Sequence, residues 1–431
     1  MFMPLVVSAL MLAAPALDDD QIPDGTTLSV LHGTGPSEGA GGVLGRAANG
    51  SVLGIDSVVN FSSYFYLPGW WTDPYGSASQ PQFTWPYTMV GRPPFGDNAS
   101  DHTTRINAPI IPVAIDLRLA DGSIRYCAKA DGTLVRLYRS ATPHVTPVLN
   151  SPLFENAWYS SSERPTQFTD AVHRASFFKH SDDDWHTILR PSVKRERVMT
   201  LIRGTYFYNV DANCNIRYVL VNINAFINAL VPPTSTDTST IIGAAEHDGD
   251  MTTADITTLL FPDTYLYFPG YPAPGTCCVL GFHEYDFEPG SASNKFRERR
   301  YLFNYSSWIT PGIFGGGLSD ITALSHELAE TFADPFVNNA TPWWQAPTGL
   351  CQDNLETGDV IEGMPNELFP MTMNGFTYHP QNEALVQWFA SQSPSSAIHH
   401  AYSYPDESVL TSPSVSLTPG CGGPAGPFAK Q

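Results

Sequence analysis

The chain has 431 residues and a formal net charge of −20, with only 15% of residues charged and with 34 glycines and 37 prolines. That length buries a sizeable core and forms one large or two ordinary domains. The acidic balance excludes nucleic acid and anionic membrane as partners, since both need a basic footprint, and the low charge with many Gly, Pro and aromatic residues suits a loop-rich extracellular globule.

Residues 1–16 are a short apolar run ending Ala14-Pro15-Ala16 before Asp18-Asp19-Asp20. They read as a secretory signal with a small-residue cleavage site, although no Lys or Arg opens the run. The run is too short to span a bilayer, and no later stretch does so. Residues 17–49, rich in Gly, Ser and Asp, read as a flexible leader or short propeptide. Between 58 and 85 the aromatics Phe61, Tyr64, Phe65, Tyr66, Trp70, Trp71, Phe83 and Trp85 crowd among Gly and Pro. They suit an irregular layer packed on the core better than a sugar- or peptide-binding platform.

Ile111, Val113, Ile115 and Leu117 alternate with Pro112, Ala114, Asp116 and Arg118, the pattern of a half-buried strand. Asp121-Gly122 and Asp131-Gly132 are hairpin signals, which predicts a meander over 110–139. Phe168, Ala171, Val172 and Ala175 follow Pro165-Thr166 at helical spacing. Residues 216–223 predict a strand, 224–230 a short helix, and 232–240 a Ser/Thr/Pro loop that is the best internal hinge. Two acidic, histidine-bearing stretches, 180–186 and 246–250, miss the spacing of a calcium loop and read as solvated turns.

The cysteines Cys127, Cys214, Cys277, Cys278, Cys351 and Cys421 form an even set, as export would require, and contain no Cys-x-x-Cys pair. Adjacent Cys277 and Cys278 would point to opposite faces of a strand, so each is expected to pair elsewhere. Asn49, Asn60, Asn98, Asn304 and Asn339 open glycosylation sequons. Residues 277–287 and 300–308 are apolar, β-rich and separated by a Pro/Gly/Ser turn, which predicts a hairpin. His283 within it reads either as a satisfied structural histidine or as a group aimed at a site. Gly315-Gly316-Gly317 could form an anion nest, but the Gly-Lys-Ser/Thr ending of a phosphate loop is missing.

Residues 319–335 read as one amphipathic helix. Ser319 or Asp320 serves as N-cap, Asp334-Pro335 ends it, and Ile321, Leu324, Leu328 and Phe332 form the apolar stripe. His326 and Glu330, four apart, lie one above the other on a different face, where an imidazole and a carboxylate can grip one metal ion. Glu327 then stands where a general base beside the ion would be. More carboxylates follow at Glu356 and Asp359, after a loop carrying Pro342-Trp343-Trp344 and Cys351. Tyr378 and His379 precede a final helix packed through Leu385, Trp388 and Phe389, and 411–431 is a Pro/Ser/Gly-rich tail.

His326-Glu327-Leu328-Ala329-Glu330 resembles the active-site helix of zincin metallopeptidases, with the second metal-binding histidine replaced by Glu330. The layout is most like the gluzincin branch, where a third ligand glutamate follows on a later helix and an aspartate after it orients a ligand histidine. By that resemblance Leu355-Glu356-Thr357-Gly358-Asp359 supplies the third ligand, Glu356, and the partner of His326, Asp359. The longer run from Ser325 to Phe336, with Cys351, resembles a largely uncharacterised group of secreted zincin-like proteins of bacteria and fungi, distantly similar to plant phosphate-induced extracellular proteins. The likeness is firm over about 277–359. It implies an α+β, zincin-like fold with a mixed β-sheet, an active-site helix and a β-rich N-terminal part, in one catalytic domain spanning 50–410. The hairpin over 277–308 would align an extended peptide substrate, and His283, Tyr378 and His379 are candidate donors to a developing oxyanion.

The expected activity is that of a secreted metallopeptidase acting on peptide or protein substrates with Zn2+. A His/Glu/Glu set is harder and more negative than His/His/Glu, so Mn2+, Fe2+ or Ca2+ would also be accepted. The alternative is a non-catalytic extracellular or wall-associated binding protein with a structural or degenerate metal site. A serine hydrolase lacks support, because no Gly-x-Ser-x-Gly occurs.

Overall fold

Hydrophobic alternation in Thr103–Arg118 sends Ile106, Ala108 and Ile110 into one core and Ile111, Val113, Ile115 and Leu117 into another. This long strand is the axis of the fold. The structure, a computed structural model, describes residues 20–23, 26, 28–30, 51–72, 79–94, 103–159, 164–177, 185–269, 277–395 and 401–414. For 64–72, 79–86 and 342 it describes the backbone alone. The expected signal, most of the leader, nearly all of the tail, Cys421, the sequons at Asn49 and Asn98, and most of the 180–186 turn lie outside the described residues. So do all the aromatic side chains from Tyr64 to Trp85.

Among the described residues the central sheet has eight strands: β1 (Ile55–Asp56), β2 (Thr103–Arg118), β3 (Tyr138–Arg139), β4 (His186–Val193), β5 (Arg197–Ile202), β6 (Ile256–Pro262), β7 (Gly281–Glu288) and β8 (Glu298–Trp308). The path runs β1-β8-β6-β2-β3, with β4 and β5 also on β2 and with β7 on β8. Pairings are parallel except β2 with β3 and β7 with β8. The fold is therefore mixed α/β with a mostly parallel sheet and 17% helix.

Both faces of this sheet are covered, as parallel strands require. Helix Phe168–Phe177 and helix Thr322–Ala333 contribute to the core on one side, and Ile223–Leu230 and Ile241–Asp248 to the core on the other. That explains a departure from expectation, since Pro112, Ala114 and Asp116 of β2 are buried as well, with Arg118 half-buried. Asp116 is 1% exposed, its charge matched by Arg118 (Nε to Oδ2, 2.6 Å) and Arg136 (Nε to Oδ1, 3.0 Å).

The predicted local elements otherwise appear close to where the sequence places them. Gly122 and Gly132 take positive φ in the two hairpin turns. Residues 232–240 form a loop whose Thr240 Oγ1 caps Ile241–Asp248 by accepting from Gly243 N–H (3.2 Å). The stretch 246–250 is exposed at 247–249, in line with the solvated reading, and there Asp248 and Asp250 are ion-paired with Arg195 and Arg197. The backbone of the aromatic stretch is an antiparallel ribbon, Asn60–Thr72 with Ser79–Val90, with a register shift between Pro68 and Trp71, where an irregular layer was expected; the pairing is in keeping with the β preference of aromatic residues.

Two cysteine findings stand out. Cys127 pairs with Cys214, and Cys277 pairs with Cys278. The second bond corrects the expectation that adjacent cysteines diverge. That expectation assumed a trans peptide in an extended strand, whereas this peptide is cis and the Cα atoms are 3.0 Å apart. Cys351 is disulfide-bonded too. The sequon residues Asn60, Asn304 and Asn339 are at most 2% exposed, so in the folded chain they offer no acceptor. Among the described residues no helix is long and apolar enough to cross a membrane.

Candidate metal centre

The helix Thr322–Ala333 forms because good helix formers surround an apolar stripe, and Ile321, Leu324, Leu328 and Phe332 are each at most 1% exposed in the core. Its start differs from expectation. Ile321 occupies the N-cap position, and Asp320 takes φ +45°. The Asp320 carboxylate instead accepts from Ile321 N–H (2.7 Å) and His379 N–H (2.9 Å) and pairs with His379 Nδ1 (2.6 Å). Asp334 ends the helix before Pro335. Gly315-Gly316-Gly317 falls before Ser319 and is no part of the helix start.

Because the helix is buried on its polar side as well, His326, Glu327 and Glu330 face an interior cleft of about 260 Å³. Opposite them runs β7, which pairs only with β8 among the described strands and carries His283. The third wall arrives from the hairpin Ala340–Gln345 and Cys351–Asn354. Buried Trp344 donates from Nε1 to Asn354 O (2.8 Å), and the chain then turns inward through Leu355 N–H to Asn339 O (3.0 Å). This brings Glu356 and Asp359 to the cleft.

The carboxylates of Glu327, Glu330, Glu356 and Asp359 meet the imidazoles of His283 and His326 there, and Asp353, Glu362 and Glu367 also line the cleft. His326 Nε2 lies 3.0 Å from Glu330 Oε2 and 3.4 Å from Asp359 Oδ1. His283 Nδ1 lies 3.5 Å from both Glu327 Oε2 and Glu330 Oε2, and its Nε2 lies 3.9 Å from Glu356 Oε2. Glu330 Oε1 accepts the N–H groups of Gly358 (3.0 Å) and Asp359 (3.4 Å). Asn354 Nδ2 donates to Glu356 Oε1 (2.6 Å). Asp359, expected behind His326, stands instead on its Nε2 side beside Glu330. The group behind Nδ1 is Gln381, with Oε1 3.1 Å away. Glu356, expected as the third metal ligand beside His326 and Glu330, faces His283.

The cluster is electrostatically crowded. Burial pushes Glu327 up to about 7 and Asp359 up to about 6, against partial relief from the imidazoles. Burial and the Glu330 charge raise Glu356 well above the carboxylate range. Burial also opposes ionisation of Glu330, but His326 and His283 outweigh it and hold that carboxyl well below its ordinary value. Burial would depress both imidazoles; the surrounding carboxylates prevail and raise both well above the usual histidine range. Glu327, Glu330, Glu356 and Asp359 thus exceed what His283 and His326 can neutralise, and such a deficit favours a cation. Two buried atoms support the same point, since His283 Nε2 and Glu356 Oε2 have no hydrogen-bond partner among the described residues.

Sequence reasoning passed over three contributors. A Cβ on Gly358 would lie 2.5 Å from His326 Nδ1, and one on Gly281 would lie 2.6 Å from Glu327 Oε1. Both glycines are thus required by close approach. Gln381 is the third, its Nε2 donating to Gly358 O (2.8 Å) and its N–H to Ser325 Oγ (2.9 Å). No local pattern in the sequence marked any of the three, since each acts through a contact with a distant segment. Tyr378 and His379 are not brought to the cleft. Tyr378 OH donates to Pro147 O (2.9 Å), and His379 is held by Asp320 and Ser319 at the helix entry.

Comparison of the chain with protein-family models, with curated proteins and with solved structures returns no match.

Proposed function

We propose that the chain is a metal-dependent peptidase of zincin type, acting outside the cell. The observation that carries this reading is the convergence of His326 Nε2, Glu330 and Asp359 within 4.8 Å of one another, beside Glu327, in a cleft. Those three residues would hold the cation, and the Glu356 carboxyl faces them across the cleft from beside His283. Nitrogen and oxygen donors in that proportion suit Zn2+ and also accept Mn2+ or Fe2+. When bound, the ion would polarise a scissile carbonyl and acidify water.

The side chains around it then divide the work. Gln381 Oε1 accepts from His326 Nδ1–H, which leaves the Nε2 lone pair turned toward the trio. Glu327, kept weakly acidic by burial, takes a proton from the attacking water at Oε2 and returns it to the leaving amine. β7, antiparallel at the sheet margin and one wall of the cleft, offers main chain against which an extended peptide can pair. Its disulfides favour an oxidising compartment for the chain.

Glu327→Gln tests the assignment. Turnover of an unfolded casein-like substrate should fall by roughly 100-fold or more, the usual worth of a general base, while the ion at the trio is retained. Loss of metal along with activity would remove Glu327 from that role. A structural metal site is the second reading. It is favoured by burial, since His326, Glu327, Glu330 and Glu356 are 8%, 5%, 3% and 7% exposed, as in closed sites. Bound metal without cleavage across roughly pH 4 to 8 would select it.

A further inference from the structure

We propose that the cleft is built for two cations, which share Glu330, and that the second one switches the enzyme off by engaging Glu327. This rests on the metal-dependent reading above and deepens it.

The donors sort into two trios with one member in common. One is His326, Glu330 and Asp359; the other is His283, Glu327 and Glu330; within each, all ligand atoms lie within 4.8 Å of one another. Bonds of about 2.1 Å spread at roughly 90 to 110° place the donors of one ion about 3 to 3.5 Å apart. The first trio shows 3.0 and 3.4 Å from His326 Nε2, and the second shows 3.5 and 3.5 Å from His283 Nδ1. Glu330 Oε2 is the oxygen common to both sets, while Oε1 is held by the Gly358 and Asp359 N–H groups. The shared oxygen is thereby fixed in place.

The outer nitrogens carry an independent argument. A ligating imidazole presents one nitrogen to the metal and gives its other N–H to an acceptor. His326 has that arrangement, with Nδ1 on Gln381 Oε1, whose orientation is set by Nε2 donating to Gly358 O. His283 repeats it in mirror sense. With Nδ1 turned toward the second trio, its Nε2 faces Glu356 Oε2 at 3.9 Å, beyond hydrogen-bond length, and both buried atoms lack a hydrogen-bond partner among the described residues, so a small approach of the two would complete the arrangement. His283 reaches the cleft from the sheet margin and His326 from the helix, so the two rings approach Glu330 from separate walls.

Filling the second position occupies Glu327 Oε2. The group that must take a proton from water is then a metal ligand, so the doubly loaded protein loses its base. Activity should rise with the first equivalent and fall by about 100-fold with the second, the worth of that base.

The test is a Zn2+ titration of the chelator-stripped full chain, reading bound metal per chain by elemental analysis and casein cleavage on the same samples. We expect two equivalents, the second weaker, with cleavage peaking near one. Mn2+ at two equivalents should give the spin-coupled resonance of a carboxylate-bridged pair, a readout that needs no variant. His283→Ala should bind one equivalent. One equivalent in the wild type at any Zn2+ concentration, with no Mn2+ coupling, overturns the second site and leaves the peptidase reading standing. No bound metal overturns both. Two equivalents retained by folded His283→Ala, or cleavage undiminished by the second equivalent, overturns the assignment made here.

Discussion

Gly358→Ala perturbs the proposed centre without touching a ligand. Its backbone is not in the left-handed region, so the effect of an added methyl is steric. The Cβ would stand 2.5 Å from His326 Nδ1, 2.7 Å from Cε1 and 2.8 Å from Cγ. Carbon contacts settle near about 3.5 Å, so the overlap approaches 1 Å along one side of the ring. The ring has little room to retreat, being held between Gln381 on one side and Glu330 and Asp359 on the other. If the loop withdraws instead, Glu330 Oε1 loses the N–H groups of Gly358 and Asp359. Overpacking of this kind costs about 1 to 3 kcal/mol, and displaced support around a metal ligand weakens binding about 10- to 100-fold. Zn2+ affinity by competition with a chromogenic chelator, with melting curves of stripped and loaded protein, measures both. We expect Kd to weaken at least about tenfold and the rise in Tm on metal loading to shrink. An unchanged Kd with an unchanged Tm would show that the His326–Gly358 contact does not shape the site.

Gly281→Ala places a Cβ 2.6 Å from Glu327 Oε1 and 2.7 Å from Cγ, so it should lower kcat about tenfold or more while Zn2+ at the first trio stays bound; a metal loss equal to that of Gly358→Ala would refute this separation. His173, stacked on Trp185 and bonded through Nε2 to Val90 O, is held by burial down at about 4. A histidine so depressed stabilises the fold above its ordinary value near 6.5, and the contribution disappears as pH falls toward 4. Over that window urea unfolding should lose roughly 3 kcal/mol more in the wild type than in His173→Gln, and equal slopes would contradict it. Asp263 is fully buried, pairs with Arg139, and accepts from Thr310 N–H (2.6 Å) and Oγ1 (2.8 Å). Arg139→Met strands that charge and should destabilise by about 3 to 5 kcal/mol in urea melts, whereas a change below about 1 would mean the carboxyl accommodates the loss by protonation.

What could be read from the residues alone was local. The apolar stripe of the site helix, its Pro335 stop, the 168–177 and 223–230 helices, the Gly122 and Gly132 turns and the β7–β8 hairpin all rest on signals within a dozen neighbours. Contacts made far along the chain were not legible. Parallel pairing of β2 with β4, β5 and β6 joins segments with no periodicity in common, and Asp116 is buried only because Arg118 and Arg136 reach it. Asp320 looked like a cap, but a carboxylate serves any donor, and His379 arrived to compete for it. In the cleft, His326, Glu327 and Glu330 were marked by their spacing. The order in which Glu356 and Asp359 approach depends on how the loop after Asn354 turns, and Gln381 comes from a later segment altogether. His283 was ambiguous because a lone histidine on a strand takes its meaning from what faces it.

Binding of a divalent cation by His326, Glu330 and Asp359 underlies every role proposed above for the cleft. Anomalous diffraction from crystals of the chain, collected on both sides of the zinc edge, tests it directly. We expect a peak about 2.0 to 2.2 Å from His326 Nε2 and from an oxygen of each carboxylate. A map from Zn2+-loaded crystals with no peak among these residues, or with the metal held elsewhere, would contradict it.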